Sequence, residues 1–230
     1  MTASPGSILL IGASRGLGLG LAGEYVSRGW QVTATARNLD KAEGLTKLAS
    51  GHKDHLHLEK INVIAKGAGK ALAETLDGKT YDVIFVVAGQ AGTGRGAVHE
   101  ATAEAAAEDF ITNAYAPPVI AEALLPRLAP GGTVVFMTSV LGSLANAHGG
   151  MEIYSASKAA LNMLGIAFSK RHPDLSVVLM HPGWVKTDMG GESAPLDVAT
   201  SVRGMADVID QHRGQHGVVY VDYSGKRIDW

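Results

Sequence analysis

The chain has 230 residues, 46% hydrophobic and 18% charged, with a formal net charge of −2 and no cysteine. This suits one globular α/β domain spanning 1–230, excludes disulfides and thiolate chemistry, and offers no basic field for nucleic acid or an anionic membrane. The opening MTASPGSILLIG has no cationic stretch before its short apolar run, and no segment reaches roughly 18 uninterrupted apolar residues, so a cytoplasmic protein with no membrane partner is expected.

Short β-branched or apolar runs alternate with longer helix-like stretches along the whole chain. SILLIG (7–12) precedes a helical pattern over 16–28, QVTATA (31–36) one over 39–50, and HLHLEKI (55–61) one over 66–77. DVIFVVAG (82–89) is followed by helix over 100–127, TVVFMTS (133–139) by 152–172, SVVLMH (176–181) by 196–213, and GVVYVD (217–222) comes last. This alternation predicts a Rossmann-type doubly wound fold, with about seven parallel strands and helices on both faces. No repeat or linker divides the chain, and EATAEAAAEDF reads as helix rather than low complexity.

The first strand runs directly into GASRGLGLG, where Gly12, Gly16 and Gly18 precede a helix. Glycines at such a junction allow the positive φ, close backbone approach and free N–H groups that a dinucleotide pyrophosphate needs, although a glycine-rich turn can also bind nothing. Further along, EIYSASKAA places Tyr154 and Lys158 one helical turn apart on one face.

With these motifs the chain resembles the short-chain dehydrogenases/reductases over essentially its whole length. Gly12, Gly16 and Gly18 match that family's glycine motif, and Tyr154 and Lys158 match its active-site Tyr-x-x-x-Lys. Ser139 in MTSVLGS matches the serine after the fifth strand, Asn113 in ITNAYAPP the asparagine of the preceding helix, and HPGWVKTDM the Pro-Gly motif after the sixth strand. SASKAALNML and HPGWVKTDMGG, with an ending soon after the last strand, are most similar to the C-factor and sniffer-like carbonyl reductase branch.

The resemblance implies an NAD(P)-dependent oxidoreductase acting on a small-molecule carbonyl, assembled as a homodimer or homotetramer. It implies that Asn113, Ser139, Tyr154 and Lys158 are catalytic. It further implies cofactor contacts from Gly12, Ser14, Arg15, Gly16, Leu17 and Gly18, from Arg37 and Asn62, from Ala88 and Gly89, from Tyr154 and Lys158, and from Pro182, Gly183, Val185 and Thr187. In this scheme Lys158 also holds the nicotinamide ribose, Ser139 polarises the carbonyl, and Asn113 holds a water in the proton path. A cofactor-binding signalling protein with incidental turnover is the alternative, against which the full proton-donor set argues. An extended-type epimerase or dehydratase is expected to carry a further substrate domain, for which the stretch after the last strand leaves no room.

Physical chemistry gives the Tyr154–Lys158 pair its meaning. A free phenol with pKa about 10 is a poor base at neutral pH, and a cation about 5.5 Å away at an effective dielectric near 20 favours the phenolate by roughly 3 kcal/mol, about two pKa units. Lys158 is therefore expected to lower the pKa of Tyr154.

Cofactor choice is read from the second strand. NAD-type sites place an acid at its end to bond the ribose 2′-hydroxyl, whereas TATARN carries Arg37 with no acid before Asp40, and Arg15 adds a second cation. Two guanidinium groups suit a 2′-phosphate, so NADP(H) is expected over NAD(H), unless both are ordinary surface arginines.

Three departures and one specificity signal remain. Val86 and Val87 stand where the family usually has two asparagines, and Asn62 where it often has an acid near the adenine. His52, His55 and His57 read as a solvated edge with no metal site, and His148 and His181 as loop or packing residues. The loops after the fifth and sixth strands carry Leu141, Leu144, Met151, Trp184 and Met189, with Lys186 the basic residue among them. That set favours a compact apolar carbonyl compound, or else packs the loops or a subunit interface.

Overall fold

The computed structural model describes residues 5–92 and 96–230. Seven strands form one parallel sheet: β1 (Ser7–Ile11), β2 (Gln31–Ala36), β3 (Leu56–Lys60), β4 (Tyr81–Val86), β5 (Leu128–Met137), β6 (Ser176–His181) and β7 (Gly217–Asp222). The intervening helices are α1 (Gly16–Ser27), α2 (Glu43–Gly51), α3 (Ala68–Thr75), α4 (Ala103–Phe110), α5 (Ala116–Leu124), α6 (Glu152–Arg171) and α7 (Val198–His212).

Strand order is β3-β2-β1-β4-β5-β6-β7, so the chain winds outward from β1 in one direction and from β4 in the other. Strand side chains alternate between two buried faces, as the period of two requires. Ile8, Leu10, Val83 and Phe85 pack on α1, α2 and α7, whereas Leu9, Ile11, Ile84 and Val86 pack on α3, α5 and α6. The switch between β1 and β4 opens a crevice at the carboxyl ends of the strands, where a doubly wound sheet binds its ligand. Among the described residues no helix is long and apolar enough to cross a membrane.

Two regions depart from the expected boundaries. β4 stops at Val86 because the N–H groups of Val87 and Ala88 both turn onto Ile11 O, at 2.9 and 2.8 Å. β5 begins earlier, at Leu128, since Leu128 pairs with Tyr81 and Thr133 with Val83, leaving the Pro130-Gly131-Gly132 stretch as a bulge.

The helix expected over 100–127 is not one regular helix. Between α4 and α5, Ile111–Tyr115 forms a π turn, in which Ala116 N–H bonds Ile111 O. Pro117 and Pro118 follow immediately and have no N–H, so Asn113 O has neither an i+4 nor an i+5 helical donor. The interruption falls at the asparagine picked out from the sequence.

Candidate active site

The crevice is about 360 Å³ and is bounded by the glycine turn, the ends of β2 to β5, α6 and the loop after β6. Its floor depends on two glycines. Gly12 has φ +96°, and a Cβ there would stand 2.9 Å from the backbone of Ala88. A Cβ on Gly18 would collide with Gly12 O, so neither position admits a side chain. Arg15 caps α1 without a side-chain bond to its first turn, which leaves N–H groups at the helix N-terminus directed to the crevice. These features fit a dinucleotide pyrophosphate.

α6 carries the candidate chemical groups. Its buried face carries Tyr154, Ser157, Lys158 and Asn162, an unusual set of polar groups for the inner side of a helix and costly unless each is bonded. Lys158 Nζ, 2% exposed as a residue, donates to Met137 O at 2.9 Å and lies 5.7 Å from the Tyr154 ring centroid. Ser157 Oγ donates to Tyr154 O at 2.7 Å, and Thr138 Oγ1 donates to Asn162 Oδ1 at 2.7 Å.

Burial pushes the Tyr154 phenol up to about 12, with a hydrogen bond from Ser139 opposing and the Asp109 carboxylate adding to the rise. Burial pulls Lys158 down to about 8, with Asp109 opposing. Here the structure corrects the sequence expectation: burial of the phenol dominates, and Tyr154 is raised rather than lowered. The phenol is neutral at ordinary pH and suits proton donation.

Asn113 is fully buried and its amide is committed. Its Oδ1 accepts from Gln90 N at 2.8 Å, while Nδ2 donates to Gln90 O at 2.7 Å and to Ser157 Oγ at 3.0 Å. This clamp fixes the chain at Gln90, just beyond the Val86-Val87-Ala88-Gly89 stretch. If Asn113 holds a water, its carbonyl is the group with capacity to do so.

Of the residues expected at the site, Gly12, Ser14, Arg15, Gly16, Leu17, Gly18, Arg37, Asn62, Ala88, Gly89, Tyr154, Lys158, Pro182 and Thr187 line the crevice. Asn113 and Ser139 are buried and not among the lining residues, Ser139 reaching the crevice through its bond to Tyr154, and Gly183 packs against Leu196 and Tyr223 while Val185 is buried and bridges to Leu196. Arg15 is held by Asp188 at 2.9 Å, joining the glycine turn to the loop after β6. Of the five apolar loop residues, Met189 reaches the crevice; Leu144 and Trp184 are exposed elsewhere, the indole N–H of Trp184 donating to Gly190 O at 2.8 Å.

Sequence reasoning missed Gln90, Asp109, Asn162 and Tyr220. Asn162 had a signal, since it continues the Tyr154–Lys158 stripe by one more turn. Tyr220 had none, because its hydroxyl reaches Ser139 O from β7, at 2.5 Å. His181, at the end of β6 and not among the residues lining the crevice, is pulled down to about 4 by burial and its Nδ1 has no protein partner, so it is neutral. His52 and His55 bond to Leu48 O and Gln31 Nε2, and among the described residues no group of three or more His, Asp or Glu side chains is gathered as metal ligands.

The fold and this crevice are those of a nucleotide-dependent oxidoreductase, and comparison with known proteins defines the class. A family model described as short chain dehydrogenase matches residues 7–196. The C-signal protein of Myxococcus xanthus is 44% identical over 129 residues, covering 54% of this chain and 78% of that relative. A carbonyl reductase from Pseudomonas aeruginosa PAO1, solved in complex with NADP, superposes with a TM-score of 0.92 at 38% identity, covering 99% of this chain and 100% of the other. The carbonyl reductase Sniffer of D. melanogaster gives 0.89 at 32% identity, covering 98% and 100%. The chain belongs to the short-chain dehydrogenase family and is an NAD(P)-dependent oxidoreductase.

Proposed function

We propose that the chain is an NADP(H)-preferring carbonyl reductase in which Tyr154 donates the proton. The observation that carries this reading is the placement of a neutral, buried phenol and a buried ammonium on the wall of a crevice that begins at the glycine turn. When bound, the nicotinamide cofactor supplies the hydride. Tyr154 delivers a proton to the carbonyl oxygen as charge develops there, and its raised pKa keeps the proton available at neutral pH. Lys158 stands behind the phenol and stabilises the phenolate left after transfer. Ser139, bonded to Tyr154, orients the carbonyl beside it, and the spare capacity of Asn113 O gives a water a place in proton replacement.

NADP binding is supported by the NADP complex of the Pseudomonas reductase, and preference over NAD by the positions of Arg15 and Arg37 on the crevice wall with no acid at the end of β2. The substrate is a compact, mainly apolar carbonyl compound, for which Met137 and Met189 provide soft apolar wall. NADPH oxidation tested against aromatic aldehydes, quinones and aliphatic ketones, and in parallel against sugar phosphates and acyl thioesters, decides it. A kcat/KM advantage for a charged substrate overturns the assignment.

The same reading includes a homodimer or homotetramer. The π turn, α5 and α6 expose Tyr115, Val119 and Leu164 around an apolar groove edged by the Glu122–Arg171 ion pair, the kind of patch that a contact between two copies covers. Sedimentation of Leu164→Glu beside the unaltered protein tests it. The similarity to C-signal favours a second reading, a signalling protein that binds cofactor without relying on turnover. No carbonyl reduction across the panel, with NADPH still bound, would favour that reading.

A further inference from the structure

The chain after β7 turns back beside that strand. Asp222 N–H donates to Lys226 O at 2.9 Å and Ile228 N–H to Tyr220 O at 3.0 Å, which brings Trp230 onto the Tyr220 ring with centroids 5.3 Å apart. The same segment grips the turn that follows Ser139. Ala145 N–H donates to Trp230 O at 3.0 Å, and Ser143 Oγ donates to Asp229 O at 2.5 Å.

Ser139 itself needs such support. Ladder pairing of β5 with β6 ends at Met137, and Thr138 N–H still reaches Met180 O at 2.8 Å, so Ser139 is the first residue past the sheet's own bonds. Its carbonyl instead accepts from the Tyr220 hydroxyl at 2.5 Å and from Gly142 N–H at 2.9 Å. Asn162 Nδ2 fixes the far side of the turn by donating to Gly142 O at 3.1 Å, and the Asn162 side chain also bonds the Tyr220 phenol.

We propose that Tyr220, clamped by Trp230, is a positioning residue that aims the Ser139 hydroxyl at Tyr154. This rests on the roles given above to Ser139 and Tyr154. A serine side chain has one rotatable bond before its oxygen, so its aim is set by the backbone that carries it, and two donors on the Ser139 carbonyl hold that backbone. Phenylalanine would fill the same space at 220, so the substitution removes the hydroxyl's bonds to Ser139 O and to the Asn162 side chain, both of which hold the turn that carries Ser139, and little else. Burial pushes the Tyr220 phenol up to about 12, so it remains a donor across the working pH range. Two tyrosines thus bracket one serine, Tyr220 on its backbone and Tyr154 on its side chain.

The test is Tyr220→Phe, alone and on a Ser139→Ala background. It is read by the Tyr154 titration, followed as tyrosinate absorbance against Tyr154→Phe, and by kcat with saturating NADPH and an aromatic aldehyde. Tyr220→Phe is expected to raise the Tyr154 midpoint and to lower kcat about tenfold, the worth of one hydrogen bond to a positioned group, with the NADPH dissociation constant unchanged. On the Ser139→Ala background it should add nothing. Trp230→Leu, which keeps the hydroxyl and loosens the clamp, should give a smaller change of the same sign, and it takes over the comparison if Tyr220→Phe does not fold. Tyr220→Phe with both readouts unaltered while Ser139→Ala alters them overturns the proposal and spares the reading of Ser139. An equal loss with and without Ser139 also overturns it, because the hydroxyl would then act on the fold at large. If Ser139→Ala itself changes neither readout, the role of Ser139 falls and the proposal falls with it.

Discussion

Lys158 Nζ is pinned between β5 and the active-site phenol, donating to Met137 O at 2.9 Å while lying 5.7 Å from the centroid of the Tyr154 ring. Burial penalises the charged form of each group, so the Lys158 pKa falls while that of the neighbouring phenol rises. The raised pKa keeps the phenol protonated, and the Lys158 cation beside it is the group placed to stabilise the phenolate once the proton has left.

The lysine gives a stability prediction. Its pKa falls from 10.5 unfolded to about 8 folded, so between those values the unfolded chain binds more protons than the folded one. The Lys158 contribution to stability is then absent below about pH 8, grows as pH rises, and is complete above 10.5. Urea unfolding of the wild type and Lys158→Met at about pH 7.5 and about pH 10 should show the difference moving toward the wild type by on the order of 2 kcal/mol. A pH-independent difference would show that Lys158 titrates normally.

Gly12→Ala is expected to damage both fold and cofactor binding. The new methyl would meet Ala88 at 2.9 Å at a φ of +96°, combining overpacking with a backbone conformation that alanine resists. A loss of about 2 kcal/mol or more in unfolding free energy should accompany weaker NADPH binding, measured by urea titration and fluorescence. Wild-type stability in this variant would refute the close approach of the glycine turn to Ala88, just after β4.

Arg37→Ser should lower kcat/KM for NADPH by about tenfold or more and leave the value for NADH nearly unchanged, since a guanidinium bond to a 2′-phosphate is charge-assisted and NADH lacks that group. Arg15 is paired with Asp188 in this structure, so Asp188→Asn should favour NADPH by freeing it. Equal losses with both cofactors for Arg37→Ser would remove the basis of the preference.

How far the sequence reveals this site depends on which residues act locally. Strand and helix order, the glycine turn and the Tyr154–Lys158 pair follow from local periodicity and from spacing within one element. The π turn at Asn113 was legible in principle from Pro117 and Pro118, yet the alanine-rich run before them reads as continuous helix. The early start of β5 is set by pairing with Tyr81, a contact between residues far apart in the chain. Tyr220, Asp109 and Gln90 are likewise placed by topology, and the direction of the Tyr154 shift depends on burial, which spacing does not report.

The most direct test of the account is single-turnover reduction of an aromatic aldehyde by NADPH in Tyr154→Phe, with NADPH affinity measured in the same preparation. The ring packing is kept and only the proton is removed, so the rate should fall by about 10² or more with affinity nearly unchanged. A variant that retains more than about a tenth of the wild-type rate would contradict the assignment of Tyr154 as the proton donor.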